Sequence, residues 1–238
     1  MASISGTVTV GGAVPTGDIE VNAYDMNSPA YFELVAGGPP LLDYNDYANV
    51  SNVDGSYTLD GLVEGHYYAL QVMSDDTPAT AKVTWYPAAA NYGGGLTIQA
   101  SGAIVGADIA CLAADGTHIT GSSINCPPAT VYVFVYALDE SIEAPAGFFL
   151  GSANGPFTSL YLAELHAAQN YRLMFACLDT DGNPLSLGWY DGHSYNDIVL
   201  ADLVLGDEVI TLDCSSGFRR IPRFFVAPGA GAHFKRPL

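Results

Sequence analysis

Five histidines, four cysteines and 25 acids are the side chains of this 238-residue sequence that most readily do chemistry. The histidines read His66-Tyr-Tyr-Ala, His118-Ile-Thr-Gly, His166-Ala-Ala-Gln, His193-Ser-Tyr-Asn and His233-Phe-Lys-Arg. None begins a His-x-x-Glu motif and none has a second His at helical spacing, so zinc hydrolysis is not signalled. There is no Gly-x-Ser-x-Gly elbow and no phosphate-cradling Gly loop with Lys. Lysine is nearly absent, which leaves Schiff-base and phosphoryl-transfer chemistry without a residue to run on. The acids single out no pair for glycoside hydrolysis. We therefore expect no catalytic residues and no enzyme.

Metals fare no better on spacing. Cys111, Cys126, Cys177 and Cys214 form no C-x-x-C pair, so the zinc-knuckle and thioredoxin readings fail. Four cysteines allow three pairings and sequence cannot choose among them. Buried free thiols are the simpler expectation, because disulfides require an oxidising compartment. Asp179-Thr-Asp-Gly-Asn183 looks like half a calcium loop, but Pro184 and Tyr190 stand where Gly and Glu are needed. An Asp-Gly hairpin turn explains it. Asp43, Asp46 and Asp54 could converge on a cation, although Asp-rich loops are normally solvated. The expectation is no metal and no cofactor.

Charge separates two regions. Residues 1–218 hold all 25 acids and only Lys82 and Arg172 as bases, a net −23, whereas residues 219–238 carry +5 and no acid. So acidic a body repels nucleic acid and anionic lipid. The longest apolar run, about Val131 to Leu138, is far short of the ~20 residues of a spanning helix, so neither nucleic-acid binding nor membrane insertion is expected. Met-Ala-Ser-Ile-Ser-Gly does not read as a signal peptide.

The elements that must position these residues are strands. With 26 Gly, 14 Pro and 15 Tyr the chain is rich in turns, and its apolar runs are short. It also repeats. Ile4-Ser-Gly6 answers Ile119-Thr-Gly121, and Ile19–Tyr24 answers Val131–Tyr136. Tyr68-Ala-Leu-Gln-Val72 answers Tyr171-Arg-Leu-Met-Phe175, Trp85-Tyr86 answers Trp189-Tyr190, Tyr92 answers Tyr195, and Cys111 answers Cys214. Alternation puts Tyr68, Leu70 and Val72 on an inward face, and Tyr171, Leu173 and Phe175 on its counterpart. Arg172 and Met174 then point to water. Val131–Tyr136 is apolar on both faces, so it should be central or lie under a neighbour. Asp54-Gly55, Asp60-Gly61, Asp115-Gly116 and Asp181-Gly182 should close turns between strands. The best helical candidate is a turn or two near Leu162–Ala168.

Gly6, Val8, Val21 and the run Asp54-Gly-Ser-Tyr-Thr-Leu-Asp-Gly-Leu62, followed by Gly65 and Tyr67, resemble the carboxypeptidase regulatory-like domain, a transthyretin-like (prealbumin-like) β-sandwich. The likeness covers nearly all of the first copy. It is weaker over the second, where Asn154-Gly-Pro-Phe replaces the Asp-Gly-Ser-Tyr box. It implies an all-β chain of two tandem seven-stranded Ig-like/transthyretin-like sandwiches with an extended C-terminal arm. The domains are residues 1–113, carrying an insertion at 26–50, then 117–216, then the arm 217–238, with a linker near Ala113–Thr117. Such domains are generally non-catalytic modules of enzymes, stalks, adhesins and phage virions. Here a long Pro/Gly/Tyr-rich insertion is added and no peptidase domain accompanies the repeats.

Two regions are binding candidates. The arm interleaves bases with aromatics, and Arg219, Arg220, Arg223, Phe224, Phe225, Phe234, Lys235 and Arg236 suit docking on an acidic partner, including a neighbouring copy. The insertion offers Tyr31, Tyr44 and Tyr47 to a surface or glycan. Trp85 and Trp189 are expected to cover the ends of the sandwiches rather than stack on sugars. The expected role is a non-enzymatic structural and assembly protein, a phage virion component such as a capsid decoration or tail-associated piece. Its partners would be other particle subunits and copies of itself. The alternative is a carbohydrate- or cell-surface-binding adhesion module, extracellular and meeting a host-surface glycan.

Overall fold

Short β-branched and aromatic runs between Gly- and Asp-rich turns fold as strands because alternate residues can enter a core while the turns reverse the chain. The computed structural model describes residues 1–32, 41–74, 79–140, 142, 144–161, 164–181, 184–190, 203–206, 208–215 and 219–220, with backbone only at 148–150, 157–161, 184, 203–204 and 219–220. The first half contains β1 (Ala2–Val10), β2 (Ile19–Asp25), β3 (Ala30–Phe32), β4 (Leu41–Asp43), β5 (Asp46–Asn49), β6 (Ser56–Leu62), β7 (Tyr67–Ser74), β8 (Thr84–Trp85), β9 (Thr97–Gln99), β10 (Ala103–Ile104) and β11 (Ile109–Cys111). The second contains β12 (Thr120–Ile124), β13 (Tyr132–Asp139), β14 (Pro145–Ser152), β15 (Pro156–Tyr161), β16 (Asn170–Leu178), β17 (Pro184–Trp189), β18 (Leu203–Leu205), β19 (Val209–Asp213) and β20 (Arg219–Arg220). Among the described residues the helical content is one 3-10 turn at Tyr92–Gly94, and no helix is long and apolar enough to cross a membrane. At the best helical candidate of the sequence, Glu164 forms a bridge and Ala167–Ala168 a turn.

The chain is all-β, in several mixed sheets. β1 is flanked by antiparallel β6 and, on its other side, by parallel β10 and β11. A second sheet runs β5-β2-β7, with β8 and β9 sharing the far edge of β7. The second half repeats this pairing. β12 lies between antiparallel β15 and parallel β19, β13 pairs with β16, and β17 and β18 share the far edge of β16. One strand differs. β14 pairs with both β13 and β15, so the second half forms a single nine-stranded sheet instead of two separate ones.

The inward faces agree with the alternation. Tyr68, Leu70 and Val72 join Ile4, Val8, Val21 and Leu59 in one apolar cluster. Tyr171, Leu173 and Phe175 join Val133, Val135 and Leu212 in another. Each fully buried aliphatic or aromatic side chain stabilises by about 1.5–3 kcal/mol over its exposed state. β13 is apolar on both faces because both are covered. Val133, Val135 and Ala137 face the second cluster, while Tyr136 and Leu138 enter a third with Met174, Leu187, Trp189 and Leu41.

Two expectations need correction. Met174 is fully buried, not in water, because the β3–β4 hairpin brings Leu41 onto the outer face of β13 and β16. Arg172 on the same face is half-buried and donates from its guanidinium to the Glu140 carbonyl at 2.7 Å. Nor is Asp60-Gly61 a turn between strands. It lies inside β6, where the register slips opposite Ala2–Ile4 and Gly61 takes φ +78° as a bulge. Asp54-Gly55 is a turn as expected. Gly55 has φ +75°, a Cβ there would meet the Val8 carbonyl oxygen at 2.5 Å, and Asp54 accepts from the Ser56 amide and hydroxyl.

Candidate functional site

The 26–50 insertion serves two purposes, one at each end. Its β3–β4 hairpin is wedged between the halves. Phe32 and Leu41, paired across the hairpin, pack toward Tyr136 and Trp189, while Leu42 packs against Tyr24 and Trp85. Trp85 and Trp189 are fully buried at this junction, so neither ring is available to stack on a sugar. Tyr44 is half-buried beside the same cluster. Its ring meets Tyr47 edge-on at a centroid distance of 5.9 Å. Tyr47 and Tyr31 are the exposed aromatics of the insertion, at 48% and 58% exposure.

At its other end the insertion builds a polar cleft of about 230 Å³, lined by Asp25, Asn45, Asp46, Asp60, Val63 and Tyr68 among others. Asp25 closes β2 and is buried. Its Oδ2 lies 2.7 Å from His66 Nδ1 and accepts from the Tyr68 hydroxyl at 3.3 Å, and its Oδ1 accepts from the amides of Asn27 and Ser28. Burial pushes the Asp25 carboxyl up, but the His66 hydrogen bond and the two amides outweigh it, so the group lies below its usual range. Asn45 is fixed as well, accepting from the Asp25 amide at 2.7 Å. Asp46 and Asp60 complete an acid-and-amide lining able to accept hydrogen bonds from hydroxyl groups. Across β5, Asp46 pairs with Ala23 and Tyr47 with Asn22, so the Asp46 and Tyr47 side chains occupy opposite faces of one strand. Asp43, Asp46 and Asp54 each accept from a nearby backbone amide.

The two halves are held by a polar seam. Lys82, one of the two bases in the acidic body, is buried at the junction. Its ammonium lies 2.8 Å from Asp115 Oδ1 and donates to Thr117 Oγ1 and the Leu165 carbonyl. That hydrogen bond, with a second from Thr117, holds the exposed Asp115 carboxyl well below its usual range. The Glu164 carboxylate takes the amides of Asp115 and Gly116, and its backbone bridges to Ala81 and Val83. Burial pushes the His166 imidazole below its usual pKa despite a 2.7 Å contact from Nε2 to the Val83 carbonyl. Gln71 reaches the Pro145 carbonyl and the Tyr92 amide reaches Asp139. The expected linker at Ala113–Thr117 is thus pinned from both sides.

The arm begins as β20, where Arg219 and Arg220 pair with Leu187 and Ser186 on the edge of β17. Arg223, Phe224, Phe225, Phe234, Lys235 and Arg236 lie outside the described residues, as do Tyr195 and Asp181-Gly182 beyond its first residue.

Spacing missed one cluster. The Sγ atoms of Cys126, Cys177 and Cys214 all lie within 4.8 Å of one another, and those of Cys126 and Cys214 are 2.9 Å apart. Interaction with Cys214 lowers the Cys177 thiol despite its burial, and the same interaction together with burial raises Cys214. Cys111 stands apart, pushed up to about 11 by burial. One sequence signal pointed here. Cys111 and Cys214 match across the repeats, whereas Cys126 and Cys177 belong to the second copy alone.

No family model matches the chain, and no curated protein matches it. A solved leucine-rich repeat protein from Bacteroides thetaiotaomicron overlaps 93% of this chain at 12% identity and a TM-score of 0.27. The chain spans about a quarter of that protein's length, 26%, and likeness at this level carries no argument about fold or role.

Proposed function

We propose that the protein is a non-catalytic recognition module of the adhesion type, two transthyretin-like units locked together to present one end to a polyhydroxyl surface such as a glycan. The repeated strand pairing and the two inward apolar clusters support two sandwich-like units. The observation that carries the recognition reading is the strand β5, with the Asp25/Asn45/Asp46/Asp60 cleft on one face and exposed Tyr47 on the other. Fixed carboxylate and amide acceptors bind sugar hydroxyls, and an exposed aromatic on the other face of the strand offers a separate platform for a ring face. Rigid sheets with a functional loop between strands are a common setting for recognition. A glycan array with the full-length protein tests the reading. Tyr47→Ala and Asp46→Ala should each weaken any bound glycan about 10-fold or more without lowering the melting temperature. Silence of the wild-type protein across a broad array sinks it.

The arm favours a second reading, a structural subunit of a larger particle such as a phage virion, docking on other subunits or its own copies. Pairing of β20 on the β17 edge supports it, because it launches a cationic arm from an acidic body. Deleting 221–238 should abolish self-association or particle incorporation while leaving the fold intact. An unchanged oligomeric mass and normal incorporation would refute it.

A further inference from the structure

We propose that Cys126, Cys177 and Cys214 form a binding site for a thiophilic d10 cation of the zinc class, which staples together the ends of β12 and β19 and the strand β16. Three backbones are brought together to make it. Cys214 directly follows β19, and its amide donates to the Ile124 carbonyl at the end of β12 at 2.9 Å. Cys126 follows β12 by two residues, after Asn125 turns the chain with φ +54°, and its amide is taken by the Asn154 side chain at 2.9 Å. Cys177 is presented by β16 beside a register slip, opposite Ser186 of β17. Cys177 and Cys214 are fully buried and Cys126 is half-buried, which gives an ion a route from solvent.

Two arguments favour a cation over a disulfide. A disulfide uses two sulfurs at about 2.05 Å, and here three converge, with those of Cys126 and Cys214 at 2.9 Å. Zinc–sulfur bonds of about 2.3 Å set tetrahedral sulfurs roughly 3.8 Å apart, so Cys126 and Cys214 need to part by under about 1 Å, and the third sulfur lies within 4.8 Å of both. The second argument comes from the surroundings of Cys177. The hydroxyls of Ser186 and Thr130 are buried beside its sulfur with no other hydrogen-bond partner, and as donors toward it they favour thiolate over thiol. Metal-bound thiolates are strong acceptors, so the same two hydroxyls would support a bound ion. Binding replaces three thiol protons by one cation. The protons leave to solvent, and the fourth ligand position falls to water. Thiolate sulfur with no oxygen donor selects a soft ion over calcium or magnesium.

The test uses reduced, full-length protein titrated with Co2+ and then Zn2+. One equivalent of Co2+ should give sulfur-to-metal charge-transfer absorption, and Zn2+ should displace it and raise the melting temperature. Cys177→Ser should remove the signal. Because that position is in the core, Cys126→Ser at the half-buried site gives a second reading and should weaken binding at least 10-fold. Ser186→Ala should weaken it about 10-fold, and Cys111→Ser should leave it unchanged. The proposal is overturned if folded wild-type protein gives no charge-transfer band and carries no zinc after purification with zinc and reductant. It is equally overturned if Cys111→Ser abolishes the signal, or if the native mass is two hydrogens light with Cys126 crosslinked to Cys214.

Discussion

The two halves share their strand pairing and differ most at one strand. Among the described residues β5 has four residues and pairs only with β2, whereas β14 has eight and pairs with both β13 and β15. The first half keeps two separate sheets and inserts a hairpin before β5. The second joins its sheets through β14, after only a short turn following β13. The hairpin gained by the first half is then used by the second, whose outer β13–β16 face it covers. The two halves are therefore not independent of each other. One hairpin lies over both outer faces, with Leu41 on the second half and Leu42 on Tyr24 and Trp85 of the first. The faces differ in composition: that of β13 carries Phe134, Tyr136 and Leu138, while the matching face of β2, buried at Asn22 and Tyr24, carries Glu20, Asn22 and Tyr24.

The matched tryptophans give the largest test of this asymmetry. Trp189→Ala and Trp85→Ala should each cost about 3–5 kcal/mol in urea unfolding, since both rings are fully buried. Trp85→Phe should cost far less than Trp85→Ala, because the Trp85 indole nitrogen is buried without a hydrogen-bond partner. Equal losses for the two Trp85 variants would mean that the nitrogen is satisfied.

Leu41→Ala is the next largest, at about 2–5 kcal/mol. Its side chain belongs to the first repeat in sequence and to the second repeat's outer face in space. Hydrogen exchange should therefore accelerate in β13 and β16 more than in β1 and β6. Faster exchange confined to the first half would separate the hairpin from its proposed role as a lid.

Much of this was legible because it is periodic. The alternation in Tyr68–Val72 and Tyr171–Phe175, the paired tryptophans and the Gly55 turn all sit in local pattern. What was not legible depends on contacts distant in sequence. Met174 looked solvent-facing because nothing near it reveals that Leu41 lies above it. Asp60-Gly61 has the composition of a turn, and only the register against β1 makes it a bulge. Cys126, Cys177 and Cys214 have no motif spacing, and they meet because β12 pairs in parallel with β19 beside the end of β16. The tyrosines split for the same reason. Tyr44 is drawn into the junction while Tyr47 stays exposed.

The polar seam gives a smaller effect. Lys82→Met keeps the buried stem and removes the ammonium, leaving the Leu165 carbonyl without that donor. A cost of about 1–2 kcal/mol is expected, with loosening of residues 113–117 by limited proteolysis. An unchanged midpoint together with unchanged proteolysis would show that the backbone bridges around Glu164 hold the halves unaided.

Protonation should separate the regions most finely. Asp25 in the first half and His166 at the seam both have lowered folded pKa values, so in each case the unfolded chain binds more protons between the two values and stability rises with pH. The windows differ. The His166 contribution is complete above the unfolded value of about 6.5 and is lost as pH falls through the folded one. The Asp25 contribution persists until pH falls below about 3.9. Lys82 opposes a charge on His166 and Asp115 favours one, and burial decides the direction. Between pH 7 and 5 the seam should therefore weaken while the Asp25–His66 network holds, lowering the urea midpoint slightly. In His166→Gln, whose amide can still donate to the Val83 carbonyl without titrating, that step should vanish and the loss below about pH 4 should remain. A step that survives the substitution would move the titrating group away from the seam and leave the two halves with the same response to acid.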